Sequence, residues 1–387
     1  MTDHTQRAPK RAIVIGGSLG GLFAGSLLRS IGWEVDIYER STGDLDSRGG
    51  GIVLQPEVSE VLKRIGAIER MSQAGVHSRH RTVFAPDGTI LDKRLAPQIQ
   101  TSWSLVYNEM HDYFGEAHYH QGKTLARIEQ DREAKTATAI FEDGSRATGD
   151  LLIGADGNGS TVRQLLWSDS QPTYAGYFAW RGLVDETAMP ARARQDLHGD
   201  FAFASSEGSH MLGYLVPGDG GDLREGHRLY NFVWYRTASE ARLAEIMTDK
   251  TGRARGVSLP EGLITDHWRE RVYNEARALL PPGFRDLVLA TDEPFAQAIR
   301  DLKVSHMVDG RVILLGDAAF VPRPHTAAST SKAAANALAL ADLLEAQRDV
   351  DTVLSLWEPD QLRLGNRLYD AGRSIGDRIM FKSRRTA

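Results

Sequence analysis

The chain contains no cysteine. That absence excludes disulfides, thiolate metal centres, iron–sulfur clusters and a cysteine nucleophile, and it suits a reducing compartment. No apolar run approaches the roughly 20 residues that span a bilayer. The stretch Met1 to Arg11 is polar and leads straight into an apolar strand, so no secretory leader is expected. Charge of one sign is also scarce: a formal net charge of −5 over 387 residues offers no electrostatic footprint for nucleic acid or an anionic membrane. The one basic cluster, Lys382, Arg384 and Arg385, reads as a solvated end. Internal repeats and low-complexity tracts are missing too. The expectation is a cytoplasmic globular protein without nucleic-acid or membrane partners.

What is present is ordinary in amount and specific in order. A length of 387 residues exceeds the size at which a single core stops growing, so about two packed domains are expected. Ala12 to Ile15 reads as a short buried strand, followed by Gly16-Gly17-Ser18-Leu19-Gly20-Gly21. Leu19, Leu22, Phe23, Leu27 and Ile31 then recur at helical spacing until Gly32. Glu34 to Tyr38 reads as a second strand with Glu39 and Arg40 at its end, completing a βαβ start. Hairpins are expected at Arg81 to Leu91, turning at Asp87-Gly88, and at Phe141 to Ala147, turning at Asp143-Gly144. From Tyr174 to Arg236 the pattern changes to short strands with alternating aromatics, which reads as an antiparallel sheet inserted into the first domain. Pro260 to Leu289 reads as helical with a break at Pro281, Arg311 to Leu315 as a buried strand, and Ser331 to Ala346 as a long helix.

The first glycine loop suits a pyrophosphate. A helix N-terminus presents unpaired N–H groups and a partial positive charge, and glycines allow close backbone approach. Ser18 stands where the fingerprint usually has its second glycine, and its hydroxyl is placed to reach a phosphate. Glu39 follows at nearly the spacing of the acid that bonds an adenosine ribose. Alone, this loop does not separate FAD from NAD, and a plain glycine-rich turn with a surface glutamate is the bland alternative.

Two further motifs separate them. Leu152-Ile153-Gly154-Ala155-Asp156-Gly157, with Ser160 and Arg163 downstream, and Leu314-Leu315-Gly316-Asp317-Ala318-Ala319 follow the loop in order. In that order they resemble the class A flavoprotein monooxygenases, over residues 10 to 345. The resemblance implies an α/β fold: a Rossmann-like FAD-binding domain of the para-hydroxybenzoate hydroxylase type with an inserted, mostly antiparallel β-sheet substrate domain. The implied division is 1–170 for the first part of the FAD-binding domain, with 80–100 contributing to the substrate sheet. Residues 171–275 form the substrate-binding sheet, 276–346 the return segment, and 347–387 a C-terminal helical segment.

The resemblance also implies the site. FAD contacts fall on Gly16, Gly17, Ser18, Leu19, Gly20, Gly21, Glu39, Arg40, Arg48, Gly51, Leu125, Asp156, Gly157, Gly316, Asp317, Ala328, Ser329 and Thr330, with the Asp317 carboxylate on the ribityl chain. The helix beginning near Ser331 aims its N-terminus at the flavin edge that becomes anionic on reduction. Departures are plain as well. Phe320 replaces a histidine usual in relatives, Ala327 to Ser331 replaces their glycine-rich segment, and Tyr107 stands where they often place an arginine. Without cysteine, a cysteinyl flavin link is excluded. The family reaction takes a hydride from NADH or NADPH, adds O2 to form a flavin C4a-hydroperoxide, and hydroxylates an electron-rich ring.

Gly51 to Glu57, Pro172 to Tyr177, Trp180-Arg181-Gly182 and Pro322-Arg323-Pro324-His325 resemble the pyridine-ring hydroxylases of this family. The implied substrate is a small hydroxypyridine such as 2,6-dihydroxypyridine; a carbocyclic phenol or benzoate, a urate-like ring, or a non-oxygenating FAD oxidoreductase are the alternatives. His325 and Pro324 directly before it are the candidate catalytic residues, His325 as a neutral imidazole that bonds a ring hydroxyl or takes its proton. The alternative is a histidine that merely fills the loop. Tyr214 and Trp234 are candidate substrate walls, with Trp180 and Tyr230 considered beside them, and Arg181 and Arg236 are expected to be solvated or ion-paired. No metal site is expected, His118-x-His120 being only weakly metal-like. A nicotinamide-only dehydrogenase leaves Asp156 and Asp317 unexplained, a flavin halogenase lacks its Trp-x-Trp-x-Ile-Pro run here, and a non-catalytic flavin-binding regulator remains a separate class. Choice of nicotinamide and oligomeric state stay open, a homodimer among the options.

Overall fold

The computed structural model describes residues 9–43, 45, 50–68, 75–347 and 349–381. Its first layer is a six-stranded sheet in the spatial order Val308–Asp309, Val312–Leu314, Leu151–Gly154, Arg11–Ile15, Glu34–Tyr38, Tyr119–His120. The central strands are parallel, with Ile13 opposite both Leu152 and Asp36, and Ile153 opposite Ile313. Ala12, Ile13 and Val14 are buried on both faces, which is why this strand reads as an unbroken apolar run. The helix Leu19–Ser30 packs on the sheet and against the helix Ser329–Ala346.

The second sheet has ten strands, with the order Ser258–Leu259, Phe295–Lys303, Thr173–Asp185, Leu229–Thr237, Ser209–Val216, Phe201–Ser206, Val76–Phe84, Ile90–Ser102, Gly51–Val53, and Phe320–Val321 pairing off that path. All its pairings are antiparallel except Phe201–Ser206 beside Val76–Phe84. The expected inserted sheet therefore recruits strands from outside 171–275. Phe295–Lys303, read as part of the return segment, pairs with Thr173–Asp185, and Gly51–Val53 closes the other edge. Sequence patterning does not reveal such long-range partners, because pairing depends on where the chain returns in space rather than on local period.

The period of two divides this sheet into two faces. Phe178, Trp180, Tyr230, Phe232 and Trp234 point to one side and pack on the helices Asp266–Leu279 and Pro282–Leu289 through Trp268, Val272, Phe284 and Leu287. Tyr177, Ala179, Val233 and Tyr235 point to the other. The 31-residue helix Val350–Met380 crosses the end of that second face. Gly372 lets it approach: a Cβ there would lie 2.8 Å from the Arg323 backbone nitrogen.

Candidate functional site: a nucleotide cleft and a histidine loop

A cleft of about 350 Å³ opens at the carboxyl ends of the parallel strands, the usual ligand position in such sheets. It is lined by Gly16, Ser18, Leu19, Gly20, Glu39, Arg40, Leu125, Asp156, Gly157, Gly316, Asp317, Ser329 and Thr330 among the residues expected to hold cofactor. Gly16 has φ +106°, and a Cβ would stand 2.6 Å from the Ala155 carbonyl oxygen. Only glycine fits there, so the chain turns sharply from strand to helix. Ser18 precedes the helix Leu19–Ser30 without spending its side chain on capping. Glu39, 6% exposed, accepts from the Gly17 N–H at 2.9 Å and the Ser41 N–H at 2.9 Å. Gly17 is held further by Tyr119, whose hydroxyl donates to its carbonyl at 2.9 Å.

The other expected contacts are distributed more widely. Gly21 and Ala328 are buried beside the cleft, Ala328 as the residue before the helix Ser329–Ala346. Gly51 lies in the second sheet, where its carbonyl accepts from the Tyr214 hydroxyl at 2.9 Å. Arg48 falls outside the described residues. Tyr107 contacts Tyr119 through its hydroxyl at 3.2 Å and stacks on Trp103, which lines the cleft. Trp103 escaped the sequence reading because nothing in its spacing points toward the cleft.

The two later motifs are joined by Arg163. Asp156 accepts from the Ser160 hydroxyl and from the Thr161 N–H at 2.6 Å, so it caps the helix Thr161–Leu166, and burial pushes its carboxyl upward. Arg163, fully buried, donates to the carbonyls of Asn158 at 2.6 Å and Ala318 at 2.9 Å. The guanidinium thus clamps the Asp-Gly loop to the Gly-Asp loop. Gly316 N–H donates to Asn336 Oδ1 at 3.1 Å, and Asp317 accepts from Ser329 Oγ at 2.8 Å and Lys332 Nζ at 2.7 Å.

These residues fit a dinucleotide carrying a second polyol. Glu39 and Asp317 end strands that are three strand spacings apart in the sheet, about 14 Å. The donor N–H groups of the first helix lie between them. One acid suits a ribose, the helix end a pyrophosphate and the other acid a ribityl chain.

A second cluster surrounds His325. Arg323, 4% exposed, donates to Asp301 from Nε at 2.9 Å and Nη2 at 2.8 Å, and to Asp377 at 2.7 Å. This anchors the Pro324–Thr326 turn to the second sheet and to the C-terminal helix. His325 Nε2 lies 2.9 Å from Tyr177 Oη, and no described residue bonds its Nδ1. Tyr235 is 4.8 Å and His210 5.8 Å away, ring centre to ring centre. Burial first, then the neighbouring His210 and Arg323, pulls the imidazole down to about 3, so it is neutral near pH 7. Burial likewise lowers His210 to about 4, and raises the Tyr177 phenol far above its ordinary value. Ala327 follows in the left-handed region with φ +52°, a strained conformation for a residue with a Cβ.

Of the aromatic walls expected, Tyr214 is on the His325 face of the sheet, edge-on to Phe201. Trp234 is not. It is fully buried on the opposite face, its indole N–H on Ser209 Oγ at 2.8 Å, and Trp180 and Tyr230 share that face. The side follows from strand parity, which sequence shows only as alternation without saying which face carries His325. Arg236 pairs with Glu275 at 3.2 Å, as expected for an ion-paired role. Arg181 bonds Gln297 at 3.2 Å on the His325 face. His118 and His120 bond Asp36 at 3.2 and 2.9 Å at the edge of the first sheet.

Comparison with known proteins adds independent findings. A family model described as FAD binding domain-like matches residues 174–301. The chain is 35% identical to a 2,6-dihydroxypyridine 3-monooxygenase of Paenarthrobacter nicotinovorans over 95% of this chain and 91% of that one. The crystal structure of 2,6-dihydroxypyridine-3-hydroxylase from Arthrobacter nicotinovorans superposes with a TM-score of 0.91 at 33% identity, over 97% of this chain and 94% of that chain. Klebsiella pneumoniae HpxO, complexed with FAD and uric acid, superposes with a TM-score of 0.74 at 26% identity, over 97% of this chain and 90% of that chain.

Proposed function

The chain belongs to the class A flavoprotein monooxygenases, enzymes that use FAD and NAD(P)H, and from that membership we propose that it hydroxylates a small hydroxypyridine, 2,6-dihydroxypyridine first among them. The observation that carries the ring assignment is the likeness to a 2,6-dihydroxypyridine 3-monooxygenase along nearly the whole chain. A urate-like ring is the second reading, supported by the likeness to HpxO with uric acid. Among the described residues no helix is long and apolar enough to cross a membrane, and a cytoplasmic supply of NAD(P)H suits the reaction.

When bound, FAD would supply the redox chemistry by which NAD(P)H and O2 hydroxylate a ring carbon. The protein's part is holding, orienting and drying. Ser18, Gly20 and the start of the Leu19–Ser30 helix would hold the pyrophosphate, Glu39 the ribose and Asp317 the ribityl hydroxyls. The ring lies on the sheet face between His325 and Gly51. Tyr235 beside His325 and Asn231 beside Gly51 are four residues apart on one strand, about 13 Å, a span longer than one ring with its substituents. Val233, Leu212 and Arg181 lie between these ends, and the buried Asn231 Nδ2 and Arg181 Nε have no hydrogen-bond partner among the described residues, so polar ring substituents satisfy them better than a bare phenyl. His325, kept neutral by burial, accepts a hydrogen bond from a ring hydroxyl at Nδ1 and so orients the ring and raises its electron density. Tyr177 orients the imidazole from Nε2. Pro324 and the Arg323 anchor fix where the imidazole points.

The test is direct competition among hydroxypyridines, hydroxybenzoates, salicylate and urate, scored by hydroxylated product per NAD(P)H consumed. NAD(P)H oxidation accelerates sharply with the true substrate. A carbocyclic phenol that outperforms every hydroxypyridine in kcat/KM overturns the pyridine assignment while leaving the hydroxylase one intact. Equal oxidation rates with and without every ring count against hydroxylation altogether.

A further inference from the structure

Lys332 stands in the first turn of the helix Ser329–Ala346, and its side chain is 1% exposed. Both circumstances oppose a lysine. The helix N-terminus carries partial positive charge, and burial disfavours the ammonium. Its Nζ makes two contacts that offset these costs: Asp317 Oδ1 at 2.7 Å and the Phe320 carbonyl oxygen. Asp317 is one-third exposed and faces the nucleotide cleft, and Ser329 Oγ bonds both of its oxygens, at 2.8 and 2.9 Å. The ammonium thus ties a cleft-lining carboxylate to the backbone four residues before Pro324.

We propose that Lys332 is a positioning residue for FAD, holding the Asp317 carboxylate toward the cleft and the 317–320 turn beneath it. The proposal rests on the reading that Asp317 bonds the ribityl chain. A carboxylate on an exposed turn samples several rotamers, and each hydroxyl it binds must first freeze one of them. A buried cation locked to Oδ1 removes that freedom in advance, and Oδ2, which only the Ser329 hydroxyl contacts among the described residues, keeps a lone pair for ligand. The same lysine adds positive charge at the helix end nearest the cleft, where an anionic group is favoured.

The experiment measures FAD release from the holoprotein after dilution, followed by the rise in flavin fluorescence, for Lys332→Met, Lys332→Arg, Asp317→Asn and the Lys332→Met/Asp317→Asn pair. A charge-assisted bond contributes about 1.5–3 kcal/mol, so Lys332→Met speeds release by at least about tenfold, and Lys332→Arg restores part of the loss. If Lys332 acts through Asp317, the double variant releases FAD no faster than Asp317→Asn alone. Multiplying effects would mean that Lys332 supports the fold rather than Asp317, and would overturn the proposal. Unchanged release in Lys332→Met beside faster release in Asp317→Asn also overturns it. Unchanged release in Asp317→Asn instead removes the ribityl reading itself. Should Lys332→Met fail to fold, Lys332→Gln in the same cycle gives the same comparison.

Discussion

Tyr177 Oη lies 2.9 Å from His325 Nε2, and the two rings stack with centroids 5.7 Å apart. The tyrosine comes from the second sheet and the histidine from the turn after the Gly-Asp motif, so the contact joins the substrate face to the FAD-binding half. His325→Ala is expected to keep FAD and lose coupled hydroxylation by at least about tenfold, the worth of one hydrogen bond to the ring hydroxyl. Hydrogen peroxide per NAD(P)H rises correspondingly. Tyr177→Phe keeps the ring stack and loses the bond, so its effect is smaller. Product and peroxide measured on the same sample check this, and a loss under tenfold in His325→Ala favours a loop-filling histidine.

Arg163 is expected to matter for stability rather than chemistry. It is fully buried and donates to the carbonyls of Asn158 and Ala318, one on each of the two loops. Arg163→Met leaves those carbonyls unpaired, at a cost of about 1–3 kcal/mol each where no water replaces the guanidinium. The urea midpoint should fall markedly, while Arg146→Met, at an exposed ion pair with Glu129, should shift it little.

Tyr214 and Trp234 separate binding from packing. Tyr214→Phe removes the bond to the Gly51 carbonyl on the His325 face and is expected to raise KM several-fold with little change in Tm. Trp234→Phe leaves Ser209 Oγ without its indole donor on the opposite face, so it lowers Tm and leaves KM nearly unchanged. Paired thermal melts and steady-state kinetics decide, and the reverse pattern would place the substrate on the other side of the sheet.

Acid should destabilise the protein over a defined range. His325 at about 3 and His210 at about 4 are both held below the ordinary value of 6.5, chiefly by burial. The polar groups facing them are Arg323, Tyr177, Tyr235 and Ser205, none of them an anion that would pair with a protonated imidazole. The unfolded chain therefore takes up protons first as pH falls below about 6.5, and the folded chain only near 3 to 4. Stability is flat above pH 7 and declines from about 6.5 downward. His210→Gln is expected to make that decline shallower, read as Tm against pH; an unchanged slope would mean that His210 is not held neutral.

The order of strand, glycine loop, helix, acid and two aspartate motifs was legible in the sequence, because each is local. Gly16 declares its backbone, Glu39 its distance from the loop, and the apolar run Ala12 to Ile15 its burial on both faces. The helix Ser329–Ala346 and the hairpin turns at Asp87-Gly88 and Asp143-Gly144 were equally readable, for the same reason. Tertiary structure alone decided what lies beside what. Alternation along Leu229–Thr237 shows two faces, but only packing against Trp268 and Phe284 decides that Trp234 belongs to the helix-covered one. Lys332 reads as an ordinary helix lysine until the fold buries it against Asp317. His325 was visible as a candidate, yet Tyr177, 148 positions away, became its partner only when the second sheet closed over the loop. Local chemistry is written in spacing, whereas partnership between distant side chains depends on the path of the whole chain.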